Sequence, residues 1–505
     1  MDRKGNEQML LGIDVGTSSI KAMLMEENGR IVAVKTKGYD VHIPHPGWAE
    51  QNPREWWEAL CGILQSMKAA YPREMDGIAG IGFSGQMHGL VAVDADGEPV
   101  RPAIIWMDQR ATAELEEIDE KVSRDIQAQI LHNRIFNGFA LPSLLWMKKQ
   151  EPQNFDRIHR IFQPKDYIRY RFTGEMGTEV SDASASLMMD IGKREWAANI
   201  LKKLDIPAGI LPEISGSSEL AGHVTRAAAQ ETGLAAGIPV VYGAGDQQAQ
   251  SIGNGAVREG LVISNIGTGA QISAYTAKDL YDKQLRTHTF CHGIPGGYTV
   301  YGAMLSGGLS LKWLKEQILR VPDFAEVSGM AETVAPGSGG VIFLPYLAGE
   351  RTPLMNPDAK GIFFGLSLEH TGAHMARAVM EGVTYALRDS LGILKAMGIC
   401  GEQILASGGA CSSPVWLQIQ ADILGREIKV CRTKEQACLG ACILAGTGLG
   451  IYESIQDACG DLVQFDERIY EPRKEYRQMY LENYDRFHGI YEETRKWLRS
   501  DKMMT

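Results

Sequence analysis

The sequence predicts an α/β protein built from two large domains, and three observations carry that expectation. Strand-like and helix-like segments alternate along all 505 residues. A chain of that length exceeds what one ordinary hydrophobic core organises. A strand, a Gly-Thr turn and a second strand also occur twice, as LLGIDVGTSSIKAML and, roughly 250 residues later, as LVISNIGTGAQISAY. Two similarly built halves are the expected result, with a first domain over residues 1–253 and a second over 254–505.

The elements follow in order. LLGIDVG reads as a buried strand, SSIKAMLM as a second, Glu27-Asn28-Gly29-Arg30 as a hairpin turn and IVAVKTK as a third strand. Residues 52–70 carry helix start signals: Asn52 as cap, Pro53 at the first helical position and Glu55 three beyond the cap. Trp56, Leu60, Ile63, Leu64 and Met67 then fall on one face, which assigns them to the core. Residues 77–86 read as a buried strand ending in a glycine turn, LVAVDADGEPV as a hairpin around Asp96-Gly97, and AIIWMDQR as a strand leading into a helix. Residues 111–235 read as mainly helical and polar. IPVVYGAGDQQAQSIGNG then predicts a β-branched strand, a glycine turn and a helix opening at Asp246. Beyond residue 341 come VIFLPYLAGERTP, a helix through HMARAVMEGVTYALRDSL, the strand QILASGG and an αβα stretch. The chain closes on a charged amphipathic helix from about residue 472, expected to dock on the second domain.

Composition narrows the function classes. Hydrophobic residues make up 44% and charged residues 22%, the balance of a globular chain. A net charge of -11 disfavours a nucleic-acid partner, which needs a basic face. The opening MDRKGNEQMLLGIDVG has no apolar run of signal-peptide length, and no stretch reaches the ~18 apolar residues of a membrane helix. The eight cysteines are scattered without paired CxxC spacing, which reads as reduced thiols in the cytoplasm. Neither a membrane nor a nucleic acid is expected as partner, and a homodimer is left open.

The chemistry concentrates in glycine turns. Neither GxxxxGK[ST] nor GxGxxG occurs, so a bound nucleotide needs another device. Candidates are Gly16-Thr17-Ser18, Gly267-Thr268-Gly269, Ser306-Gly307-Gly308 and Ser407-Gly408-Gly409-Ala410. Glycine lets backbone approach a polyphosphate, and Thr or Ser adds a hydroxyl donor. One such turn reads as an ordinary tight turn; four, two in matching repeat positions, point to a nucleotide cleft. Asp14 ends an otherwise buried strand, where it reads either as a partner of hydrated Mg²⁺ or as a carboxylate capping the turn. Lys21 reads either as a phosphate contact or as an exposed lysine. Asp246 stands at a strand end, where α/β proteins place ligands. A carboxylate there suits a general base for phosphoryl transfer to a hydroxyl, and suits a helix N-cap equally. Gly85-Gln86-Met87-His88-Gly89 places a polar cluster after a buried strand, in position to meet a ligand.

With these residues in place, the sequence resembles the FGGY carbohydrate kinases, and within them the xylulokinase branch. The resemblance runs through GIDVGTSSIK, GWAEQNPREWW, GFSGQMHG, PKDYIRYRFTGE, SDASASLMMD, GAGDQQ, IGTG, LPYLAGERTPLMNPDAKGIFFGL and ASGGACSSPVW. It implies two actin-like, ribonuclease-H-like domains flanking a catalytic cleft, with the sugar held mainly by the first and ATP mainly by the second. It implies Asp246 as general base, Met87 and His88 along the sugar, and Gln247, Trp106 and Asp108 as further sugar-pocket residues. Asp14 would organise Mg²⁺. Gly16, Thr17, Ser18, Lys21, Gly267, Thr268, Gly308, Gly409, Ala410 and Ser413 would line the nucleotide.

The implied reaction converts D-xylulose to D-xylulose 5-phosphate with ATP. Two departures bear on the sugar: GFALPSLLW carries Ala140 and Ser143 where the family signature differs, and Gln247-Gln248-Ala249-Gln250 is bulkier than the branch pattern. Alternatives are an FGGY kinase for gluconate, another ketose, glycerol or another polyol, and, from another class, a non-catalytic actin-like ATP switch. Gluconate is a carboxylate whose pocket should offer an Arg or Lys pair, and QMHG supplies none.

Overall fold

β1 (Met9–Val15), β2 (Ser19–Glu26) and β3 (Ile31–Gly38) form an antiparallel meander, as the sequence predicts. The computed structural model describes residues 8–497; the N-terminal reading over residues 1–7 and the end of the tail, 498–505, lie outside the described residues. α1 (Pro53–Ala70) starts as expected, with the Asn52 side chain accepting from the Arg54 N–H and Pro53 in the first turn. Its apolar face, widened by Trp57, packs on β2 and β3, and beside it α2 (Pro164–Thr173) covers β1 and β4 (Ile78–Gly85) on the same side of the sheet. α3 (Val180–Ala185), β5 (Leu220–His223), β6 (Pro239–Val241), β7 (Ala244–Gly245) and α4 (Asp246–Gly253) complete this half. The strand order is β5-β6-β4-β1-β2-β3, with β7 paired to β4.

The second half repeats the plan. β8 (Leu261–Ile266), β9 (Ala270–Thr276), β10 (His288–Cys291) and β11 (Tyr298–Met304) come first, followed by α5 (Gly308–Trp313) and the long α6 (Gly372–Ala396). β12 (Gln403–Ser407), α7 (Pro414–Leu424), β13 (Glu427–Val430), α8 (Gln436–Gly448) and α9 (Arg477–Thr494) follow. The second sheet runs β10-β11-β9-β8-β12-β13. In each sheet an antiparallel run on one side of its first strand, three strands in the first half and four in the second, is matched on the other side by two strands parallel to that first strand: β4 and then β6 beyond β1, β12 and then β13 beyond β8. This shared order is the structural form of the two Gly-Thr repeats.

Two features differ from the sequence reading. The strand in AIIWMDQR covers only Ala103–Ile104, and the next helix begins at Thr112. More consequentially, α8 lies within residues 254–505 yet packs on the first sheet. A Cβ on Gly12 would sit 2.3 Å from the Cys438 carbonyl oxygen, and one on Gly82 would sit 2.0 Å from that of Ala441. Only glycine lets helix and strand backbones approach so closely. Leu10, Met23 and Met25 meet Cys438, Leu439 and Cys442 there, so the first sheet is buried on both faces. All eight cysteines are free thiols. Among the described residues, no helix is long and apolar enough to cross a membrane.

Candidate active site

Asp246 opens α4 directly after β7, where β4 and β7 end together in parallel register at Gly85 and Gly245. It lines two cavities. The larger, about 410 Å³, takes Thr17, Met87, His88, Trp106 and Gln247 from the first half and Asn265, Gly267, Thr268, Gln271, Tyr301 and Arg351 from the second. The smaller, about 200 Å³, holds Asp14, Lys21, Gln250 and Glu435 beside Asp246. Asp246 is not a helix cap: Gly245 occupies that position, and Asp246 is the first helical residue. Burial, reinforced by the nearby Asp14 carboxylate, pushes its carboxyl up to about 7, against hydrogen bonds from the Gln247 backbone and side chain. Gln247 is oriented in turn by Gln271, whose amide donates to its side-chain oxygen.

His88 reaches the same cavity through a strained turn, with φ 73. Its ring faces Phe139, with centroids 4.1 Å apart, and its Nδ1 lies 3.0 Å from the Ala185 carbonyl oxygen. A carbonyl only accepts, so Nδ1 carries the proton and Nε2 is left as an acceptor. Burial holds this imidazole down to about 4, and it is neutral at pH 7. Met87 packs against Gly245, where a Cβ would meet its Cγ at 2.6 Å. The exposed Trp106 donates from Nε1 to Thr17 Oγ1 at 2.9 Å, joining this wall of the cavity to the first Gly-Thr turn. Gln86 donates to Gln51 and Gln51 to the Thr17 carbonyl, at 2.8 and 2.7 Å, which fixes that turn from below.

Asp108 is not brought to either cavity. It is 1% exposed, and its oxygens accept from the Ala49 N–H and the Arg110 guanidinium. Its place is in a buried ion-pair network, because Arg110 also engages Glu50.

A polar core behind Asp246 explains the middle of the chain. Residues 111–235 are polar in composition, but much of that polarity points inward. Lys165 Nζ, fully buried on α2, contacts Asp166 at 2.7 Å, Asp182 at 2.9 Å and Glu179 at 3.3 Å. Glu179 caps α3 and accepts from Ser181 Oγ at 2.7 Å, and Ser181 Oγ accepts from the Gly245 N–H at 2.9 Å. The chain of contacts ends one residue before Asp246. α3 therefore anchors both sides of the site, His88 through Ala185 and Asp246 through Ser181.

On the other side lies a cavity of about 470 Å³ formed wholly by the second half, lined by Gly267, Thr268, Gly308, Gly409, Ala410 and Ser413 with Phe324, Met380 and Trp416. Its apolar walls suit a planar base and its glycine turns suit a polyphosphate. Gly308 N–H is spent on the Gly267 carbonyl at 2.8 Å, and a Cβ on Gly308 would sit 2.3 Å from that same oxygen. The two turns are thereby locked together, so Gly308 supplies shape rather than a free donor. Ser413 caps α7 and shares a 2.6 Å hydrogen bond with Ser328. Gly16 likewise spends its N–H inside its own turn, on Ser19, and neither Gly16 nor the exposed Ser18 lines these cavities.

Asp14 accepts from Ser84 Oγ at 2.8 Å, and burial raises its pKa. Lys21 is not a free phosphate contact: it pairs with Glu435, just before α8, at 2.5 Å. Among the described residues no group of three or more His, Cys, Asp or Glu comes together to hold a metal. Arg351, Tyr301, Asn265 and Gln271 escaped the sequence reading. The one available signal was the Glu-Arg pair following the apolar run VIFLPYLAG.

The sequence matches the FGGY family of carbohydrate kinases, N-terminal domain, over residues 9–253 and the C-terminal domain of the same family over residues 262–449. It is 36% identical over 493 residues to a xylulose kinase of Staphylococcus epidermidis, covering 97% of this chain and 98% of that one. A gluconokinase of Bacillus subtilis is 32% identical over 485 residues, covering 93% and 94%. Among solved structures, a xylulose kinase from Rhodospirillum rubrum superposes with a TM-score of 0.91 at 29% identity, covering 98% of this chain and 100% of that one. Matched by both domain models and by full-length relatives, this chain is a member of the FGGY family of carbohydrate kinases.

Proposed function

We propose that the protein transfers the γ-phosphoryl group of ATP to the 5-hydroxyl of D-xylulose, giving D-xylulose 5-phosphate and ADP. The observation that carries this reading is the position of Asp246, which faces both the cavity bearing His88 and Trp106 and the one bearing Asp14. A hydroxyl held there gives its proton to Asp246 as its oxygen attacks the phosphorus. His88 Nε2 and the Gln247 amide orient the neutral polyol, and Trp106 covers it. The two locked glycine turns hold the phosphates. Asp14 fits a Mg²⁺ that keeps most of its ligands as water and phosphate oxygens, since one or two carboxylates suffice for such an ion. When bound, Mg²⁺ neutralises charge on the phosphoryl oxygens. Asp14→Asn should lower kcat by about 10²-fold or more while sugar affinity, measured by calorimetry, stays within about twofold. Weak sugar binding with normal turnover at saturating sugar would remove this role.

Arg351 favours a second reading. Its guanidinium lines the sugar cavity, desolvation lowers its pKa, and the neighbouring Glu350 is pushed up to about 8 by burial, so Glu350 is mostly protonated near pH 7 and neutralises it little. The cavity therefore does contain a cation, which QMHG alone did not supply, and gluconate has a place to bind. For a ketose, the same group donates to the carbonyl. Arg351→Met should raise KM for D-xylulose by about 10-fold or more, the worth of one charge-assisted hydrogen bond, with a smaller change in kcat. ADP release measured with D-xylulose, other ketoses, glycerol, other polyols and gluconate separates the readings. Higher kcat/KM on gluconate than on D-xylulose in the wild type would overturn the proposed substrate.

A further inference from the structure

A cavity of about 580 Å³ opens on the second half among the C-terminal ends of α6 and α7 and the start of α9. Six cationic side chains line it, namely Arg388, Lys395, Arg426, Arg473, Lys474 and Arg477, against the single carboxylate of Asp422. This concentration stands on a chain of net charge -11. Asp422 is consumed by Arg473, 2.6 Å away.

Helix dipoles account for part of the cluster. Lys395 lies in the last turn of α6, and Arg426 donates to the carbonyls of Gly401 and Gly425 at 2.5 and 2.9 Å, capping the end of α7. Lys474 and Arg477 have no such reason. Arg477 is the first residue of the 18-residue α9 and Lys474 opens the turn leading into it, where the positive end of the dipole disfavours a cation. Lys395, Lys474 and Arg477 are exposed and form no salt bridge among the described residues. Arg388 is held 4.3 Å over the ring of Tyr484 and likewise has no carboxylate partner among them. Fixed guanidinium planes beside mobile ammonium groups, at a helix N-terminus, are the chemistry that binds phosphate. The volume exceeds what one phosphate fills and falls in the range of metabolite sites.

We propose that this cavity binds a small metabolite carrying two phosphoryl groups, at a site separate from those of ATP and the sugar. The cations with neither a carbonyl nor a carboxylate partner among the described residues divide accordingly: Arg388 and Lys395 from α6, and Lys474 and Arg477 from the approach to α9, with Arg426 and Arg473 held at the rim by the carbonyls and the carboxylate they engage. The test is calorimetry on the full chain saturated with ADP in metal-free buffer at about 0.15 M salt, where loose surface attraction is screened. Pyrophosphate and inorganic phosphate are the probes. Pyrophosphate should bind saturably, about tenfold tighter than phosphate. The double variant Lys395→Ser/Arg477→Ser should lose that binding by about tenfold or more, and Lys474→Gln should weaken it severalfold, with melting temperature and kcat unchanged. Pyrophosphate binding that survives both variants lies elsewhere and overturns the proposal, as does the absence of saturable binding. Equal affinity for the two probes overturns the assignment of two phosphoryl groups.

Discussion

Asp246→Asn should lower kcat by about 10²-fold or more at saturating ATP and D-xylulose, because an amide cannot accept the hydroxyl proton. The same variant should be no less stable, and above about pH 7 it should be more stable. The sign follows from its raised pKa, from 3.8 to about 7. The folded state holds the Asp246 proton more tightly than the unfolded chain does. Stability from this group is therefore greatest at low pH and falls as pH climbs from about 4 through 7. Asparagine removes that loss. Nor does the variant lose a cap, since Gly245 holds the cap position. Wild-type kcat/KM should accordingly rise with pH through about 7, as the free enzyme's base ionises, and kcat with melting curves at about pH 6 and 8 measure both effects. A well-folded variant with near-normal kcat would sink the assignment of Asp246 as base.

The buried carboxylate of Asp246 and the glycine turns around it were legible in the sequence because their signals are local. A glycine turn after an apolar strand names its own conformation, and LLGIDVGTSSIK repeated as LVISNIGTGAQIS names a duplicated plan. The sandwiching of the first sheet was not legible. Gly12 and Gly82 read as ordinary strand glycines, and only the approach of α8, over 350 residues away in sequence, shows why no Cβ fits. The partner of Lys21 was hidden for the same reason: Glu435 comes from that distant segment.

The middle of the chain misled through composition. Lysine and aspartate predict a solvated face by default, whereas Lys165, Asp166, Glu179 and Asp182 are all buried. Asp108 was misplaced in the opposite sense, a buried structural carboxylate taken for a sugar contact. Arg351 sits in a loop segment with no periodicity, and its meaning appears only when Tyr301 and Asp246 surround it.

The second large effect belongs to that buried core. Lys165→Met should destabilise the protein by about 3–5 kcal/mol, the scale for removing one partner of a buried ion pair. Asp166, Glu179 and Asp182 would remain in the interior, with Arg169 Nε, 3.9 Å from Asp166, as the nearest cation. Like charges without a counter-ion raise carboxyl pKa values, and burial already holds Asp182 well above the usual carboxylate range. The folded variant then binds protons more tightly than its unfolded chain, so its deficit should shrink as pH falls from about 7 to 5. A deficit that is constant over that range would mean lost packing rather than exposed charge. The gentler Ser181→Ala separates stability from positioning. It leaves Lys165 and its carboxylates in place but deprives the Gly245 N–H of its acceptor, at a cost of about 1–3 kcal/mol. With Asp246 no longer anchored through its neighbour, kcat should fall by about tenfold, at temperatures well below the melting transition, while KM for ATP is unchanged. Normal kcat in folded Ser181→Ala would confine the network to stability and detach it from the base.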